Sequence, residues 1–155
     1  MVWNSSILNE QGELVKNEIR VLIVEDESQL INVMRMHLVR LRKYSPENIF
    51  AANDGQEALI KLEELILGEK IPHIIYTDLR MPKLDGANFF LEINARFHNE
   101  LKKTIKFILT GISLSEEKAE LERTLDGIDV EIIYKPFKYA ELIALAENKL
   151  LKRLQ

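Results

Sequence analysis

Cysteine is missing from this 155-residue chain, which excludes disulfides and thiolate metal sites and fits a reducing compartment. Long hydrophobic runs are missing as well. No apolar stretch approaches the length of a membrane span, and the opening Met1-Val2-Trp3-Asn4-Ser5-Ser6 lacks a signal peptide's basic and apolar regions. The expectation is a cytoplasmic protein with no membrane association. Nor is there an excess charge of one sign: the net charge of -4 leaves no footprint for nucleic acid or an anionic lipid surface. Lys149, Lys152 and Arg153 cluster at the end of an expected helix, where cations complement the macrodipole. What is present, 46% hydrophobic and 30% charged residues, is the composition of a folded chain, most simply one domain.

Residues 1–18 read as an N-terminal extension. Within it Ile7-Leu8-Asn9-Glu10-Gln11-Gly12-Glu13-Leu14-Val15 sets a turn signal between apolar pairs, which admits either a short hairpin or a loosely packed arm. Residues 19–155 then alternate strands with helices five times. Ile19 to Val24 is a nearly continuous aliphatic run, the pattern of a strand buried on both faces. A helix over Ser28 to Lys43 follows, with Leu30, Ile31, Met34, Leu38 and Leu41 on one stripe, broken by Pro46. A second strand at Asn48 to Ala52 leads through Asn53-Asp54-Gly55, a helix cap, to a helix closed at Gly68. The third strand, Ile74 to Thr77, is followed by a helix capped by Asp85, with Phe89, Phe90, Ile93 and Phe97 inward. Thr104 to Leu109 is the fourth strand, and Ser115 caps a charged, marginal helix to about Leu125. Val130 to Tyr134 is the fifth strand, and the last helix starts near Tyr139. Such alternation demands a parallel sheet with right-handed crossovers and helices on both faces, a three-layer α/β domain.

In that architecture the residues just past each strand share one edge, where ligands bind. Strand one brings Glu25 and Asp26, strand three Asp78, strand four Thr110 and strand five Lys135. Two carboxylates about 4 Å apart repel by roughly 4 kcal/mol at an effective dielectric of about 20, so something must offset the charge or the pKa values rise. A hard divalent cation is the economical answer, and oxygen donors with open positions suit Mg²⁺. Beside such a cation Asp78 can attack a phosphoryl donor and become an aspartyl phosphate. Lys135 and Thr110 are then the partners for the phosphoryl oxygens, one by charge and one by hydrogen bond. Taken singly, each residue has an ordinary reading as a helix start, a turn or a strand end. Their conjunction at matching strand ends carries the argument.

Five stretches together resemble the receiver domain of two-component response regulators: Val21 to Glu27, Asn53 to Leu59, Thr77 to Gly86, Leu109-Thr110-Gly111 and Tyr134-Lys135-Pro136-Phe137. They stand in the family's order and spacing and leave only the N-terminal arm uncovered. The resemblance implies a doubly wound, flavodoxin-like sheet of order 2-1-3-4-5. It implies that Asp78 takes a phosphoryl group from the phosphohistidine of a histidine kinase or phosphotransfer protein. Asp26, Asp78 and the backbone carbonyl of Arg80 would ligate Mg²⁺, with Glu25 acting through water. Thr110 and Lys135 would contact the phosphoryl group, and the Lys135–Pro136 bond would be cis. Two positions depart from the pattern. Ile132 stands where the family usually has an aromatic switch residue, and Glu25 stands where Asp is common. Tyr134, on the same strand face as Ile132, is the substitute switch candidate. Without an output domain in view, the expected activity is a stand-alone signalling phosphoacceptor, not an enzyme beyond self-phosphotransfer and autodephosphorylation, acting through an unidentified downstream protein. Two alternatives stay open: a phosphatase with an aspartyl nucleophile, disfavoured because Arg80 replaces the second acid such enzymes carry, and a phosphate-independent scaffold.

Overall fold

The computed structural model describes residues 7–155; Met1 to Ser6 lie outside the described residues, so the arm is seen only from Ile7. Five strands, β1 (Val21–Val24), β2 (Ile49–Ala52), β3 (Ile74–Asp78), β4 (Ile105–Thr110) and β5 (Glu131–Tyr134), form one parallel sheet in the order β2-β1-β3-β4-β5. Between them run α1 (Ser28–Met36), α2 (Gly55–Leu67), α3 (Gly86–Phe97) and α4 (Ser115–Thr124), with α5 (Tyr139–Leu154) last. This is the doubly wound α/β architecture that the strand–helix alternation predicts. Strand side chains alternate between two cores. Val21, Ile23, Ile74, Tyr76, Phe107 and Leu109 pack with Ile31, Met34 and Leu38 of the first helical stretch and Ile143, Ala146 and Leu150 of α5. Leu22, Val24, Ile75 and Ile108 pack on the other side with α2, α3 and Leu121 of α4.

Several element ends differ from expectation, each for a local reason. The first helix does not stay α-helical to Lys43: residues His37–Leu41 form a π turn, closed by Arg42 N–H on the His37 carbonyl at 3.1 Å. The wider turn rotates the stripe that follows, so Leu41 points outward at 63% exposure instead of joining the core. Gly68 is not the left-handed residue after α2. Its φ is -84°, and Glu69 takes the positive φ of 58°, with Lys70 N–H closing on the Leu65 carbonyl at 2.8 Å. Leu114, not Ser115, is the N-cap of α4, and no side chain caps that end. Asp54 and Asp85 do cap α2 and α3, accepting from Glu57 N–H and Asn88 N–H at 2.8 Å each.

The arm is a short hairpin: Leu8 and Leu14 bridge antiparallel, and Asn9 N–H reaches the Glu13 carbonyl at 2.9 Å. Ile7 is fully buried in the core under α5. Lys16 sits 3.6 Å from the buried carboxylate of Glu147, which also receives Tyr44 O–H at 2.8 Å and an Arg42 guanidinium N–H. A buried charge needs this degree of pairing, and here the pairing ties the arm to α5.

Asp78 is positioned by a loop that cannot shift freely. A Cβ added to Gly86 would lie 2.4 Å from the Asp78 carbonyl oxygen, and one added to Gly55 would lie 2.3 Å from the Leu84 carbonyl oxygen. The β3–α3 loop is therefore seated against both neighbouring helix starts through glycines, and Lys83 adds an ion pair to Asp54 at 3.6 Å. Because the hairpin delivers a fully buried aliphatic side chain, Ile7→Ala should cost about 2–4 kcal/mol of unfolding free energy. Urea denaturation reads this directly; an unchanged midpoint would mean that the arm is not docked in solution.

Candidate functional site

Strand register sets the site. Val24 of β1 stands opposite Thr77 of β3, so the residues that follow them, Glu25 and Asp78, emerge side by side. Across β4, Thr110 pairs with Tyr134, which brings Lys135 to the same rim. Carboxylate oxygens of Glu25, Asp26 and Asp78 lie within 4.8 Å of one another. Lys135 Nζ donates to Asp78 Oδ1 at 3.0 Å. The five residues that strand-end reasoning singles out thus meet at one edge. Asp78 is itself the last residue of β3, half-buried, while Asp26 is exposed and Glu25 is buried.

Glu25 is the electrostatic marker of the site. Burial first, then the charge of Asp78 and a hydrogen bond with Asp26, push its carboxyl up to about 7. Its Oε2 accepts from Glu27 N–H at 3.3 Å, and its own N–H binds the Ala52 carbonyl at 3.0 Å, which holds it against the sheet. One ammonium among three carboxylates leaves excess negative charge, and the chemistry of the donor set fits a hard, oxygen-seeking cation. On Lys135 burial acts to lower the ammonium, but the Asp78 hydrogen bond and the charges of Asp78 and Glu25 outweigh it and leave it above its usual range.

Thr110 is buried, with its Oγ1 accepting Ile112 N–H at 3.1 Å, so the O–H remains to donate elsewhere. Gly111 beside it faces open space. The Lys135–Pro136 bond is cis. Ile132 is half-buried against the α4-side core and carries no polar group to follow Thr110. Tyr134 is half-buried on that same side, with Lys118 Nζ 4.7 Å from its ring centroid. Arg80, two residues beyond Asp78, extends its guanidinium away to Glu117 of α4 at 3.0 Å. Sequence reasoning missed Glu117 and Lys118, since a charged helix face gives no sign of which charges meet another element.

In metal-free protein the raised Glu25 carboxyl sets a sign. Unfolded Glu25 loses its proton near 4.5 and folded Glu25 near 7, so stability falls as pH rises between those values and is level above them. The loss is on the order of 3 kcal/mol. Urea midpoints in chelator should fall across that window for the parent and hold comparatively level for Glu25→Gln; parallel profiles would exclude Glu25 as the origin.

Residues 21–147 match the family model of the response regulator receiver domain. The transcriptional regulatory protein PdtaR of Mycobacterium tuberculosis is 33% identical over 129 residues, 83% of this chain and 55% of that protein. A probable chemotaxis protein CheY of Rhizobium etli is 26% identical over 133 residues, 86% of this chain and 93% of its own length. The chain spans about half the length of the curated relatives it first matches. Among solved structures, the receiver domain of the Francisella response regulator 1452 aligns with a TM-score of 0.65 at 27% identity, covering 88% of this chain and 99% of that one. The sheet order and the acidic cluster at the strand ends agree with that match over most of the chain. The chain belongs to the response regulator receiver domain family, whose members are phosphorylated on aspartate in two-component signalling.

Proposed function

We propose that the chain accepts a phosphoryl group on Asp78 from the phosphohistidine of a histidine kinase or phosphotransfer protein, in a Mg²⁺-dependent reaction, and signals by phosphorylation-dependent contact with another protein. In this reading residues 19–155 are the receiver, residues 1–18 are an extension docked on it, and the protein works in the cytoplasm without binding nucleic acid. The observation that carries it is the clustering of Glu25, Asp26 and Asp78 within 4.8 Å, with Lys135 bonded to Asp78.

Each residue then has one task. Asp26, Asp78 and the Arg80 backbone carbonyl would hold Mg²⁺, with Glu25 acting through a water molecule. The bound cation would offset negative charge on the donor's phosphoryl oxygens and on the three carboxylates. A carboxylate oxygen of Asp78 attacks phosphorus as the phosphorus–nitrogen bond to the donor imidazole breaks. The departing imidazole keeps the bonding pair and takes a proton, and Asp78 becomes an acyl phosphate. Lys135 exchanges its hydrogen bond with Asp78 for one with a phosphoryl oxygen, and Thr110 donates its hydroxyl to another. With no second carboxylate at position 80 to act as general acid, turnover is confined to self-phosphotransfer and slow hydrolysis of the acyl phosphate. Thr110 is the first residue to sense the new charge; Ile132 offers no aromatic relay beyond it, and Tyr134 is the nearest aromatic on that strand face.

Incubation with acetyl phosphate and Mg²⁺, read by intact mass, should give one phosphoryl addition that is lost in Asp78→Asn and in chelator. Absence of any addition in the parent would leave a phosphate-independent scaffold as the better reading.

A further inference from the structure

The chain has a receiver's phosphorylation chemistry but no aromatic at position 132 to carry the change away. A second route starts at the same rim. The Arg80 guanidinium, two residues past Asp78, bonds Glu117 Oε2 at 3.0 Å in the first turn of α4. The next residue, Lys118, places its ammonium 4.7 Å from the ring centroid of Tyr134 on β5. Tyr134 in turn pairs with Thr110 across β4 and precedes Lys135. Two neighbouring residues on one helical turn therefore hold, respectively, the cation beside the phosphoacceptor and the aromatic on the edge strand.

We propose that Arg80 is a positioning residue for the phosphoryl group and that Glu117 is its resting partner: phosphorylation draws Arg80 from Glu117 to the phosphoryl oxygens and releases the first turn of α4, uncovering Tyr134. The inference rests on Asp78 being the phosphoacceptor and adds the route by which the change leaves the site.

Charge and anchoring both favour the exchange. The Arg80 and Glu117 side chains are 74% and 40% exposed, and an ion pair in such surroundings is weak. An acyl phosphate carries roughly -1.5 to -2 charge against the single charge of a carboxylate and offers more acceptor oxygens to a guanidinium fork. Arg80, Glu117, Asp78, Thr110 and Lys135 line one open cleft, so the guanidinium crosses no packed residue to change partners. The turn it leaves is poorly held. Leu121 is the only buried residue of α4, and the helix's N-terminus at Leu114 has no side-chain cap. With Glu117 unpaired, that turn keeps the contact of Lys118 with Tyr134, a partly exposed cation–π contact of modest strength.

Two readouts separate this role from a merely structural one. The Lys118 ammonium lies 4.7 Å from the Tyr134 ring centroid, so the ring current should shift the adjacent ε-methylene protons upfield in the resting protein. Phosphorylation by acetyl phosphate with Mg²⁺ should move them toward ordinary lysine values in the parent and leave them where they are in Arg80→Ala. The initial rate of phosphorylation by acetyl phosphate should rise about two- to fivefold in Glu117→Gln, the worth of an exposed ion pair, because Arg80 is freed to meet the incoming dianion. The rise should vanish in Arg80→Ala/Glu117→Gln. Both substitutions replace exposed side chains, and Arg80→Gln repeats the test with the bulk retained. If intact mass shows Asp78 phosphorylated while Lys118 moves equally in parent and Arg80→Ala, the relay is overturned and the phosphoacceptor reading stands. If no phosphoryl group is added, both are overturned.

Discussion

Like charges held together without a matching set of counter-charges are the constraint on which the rest of this structure depends. Glu25, Asp26 and Asp78 are brought within 4.8 Å by the register of two adjacent parallel strands, and among the described residues the only ammonium bonded to Asp78 is that of Lys135. A fold seeking stability alone would not assemble this group, because the carboxylates repel and one of them is buried. The strain shows in Glu25, whose proton is retained to about pH 7. In the proposed function a divalent cation would relieve it, and a phosphoryl group would find there both a nucleophile and partners for its oxygens.

The surrounding architecture serves to keep that group in place. Two faces of buried aliphatic packing make the sheet rigid, so strand ends return to the same relative positions. The loop after Asp78 is then fitted to its neighbours through Gly86 and Gly55, where any side chain would collide with backbone oxygens. On the opposite layer the N-terminal hairpin adds Ile7 to the core and Lys16 to the buried Glu147 cluster. Rigidity is not uniform. The rim between β4 and α4 has Gly111 in open space, an uncapped helix start at Leu114 and an exposed Arg80–Glu117 pair. Movement costs least on that side of the site.

How much of this was legible in the chain depends on the range of the interactions involved. The five strands and the rim residues could be read because each carboxylate, hydroxyl or ammonium directly follows an aliphatic run, and parallel topology does the rest. Caps at Asp54 and Asp85 are local and were readable for the same reason. The π turn at His37–Leu41 was not, since it adds one residue to a helical turn without a distinctive composition, and it displaced Leu41 from the expected core. The left-handed conformation at Glu69 in place of Gly68 arises because Gly68 N–H still completes a helical bond to the Glu64 carbonyl. Docking of the hairpin, the Glu147 cluster and the Arg80–Glu117 pair join residues far apart in sequence, where periodicity says nothing about partners.

The central claim is that a phosphoryl group is carried by the carboxylate of Asp78 and by no other member of the cluster. Borohydride reduction of phosphorylated protein converts an aspartyl phosphate to homoserine, and peptide sequencing then locates it. The account predicts homoserine at position 78 alone. Homoserine at position 26, or a phosphoryl group that resists both borohydride and hydroxylamine, would contradict it.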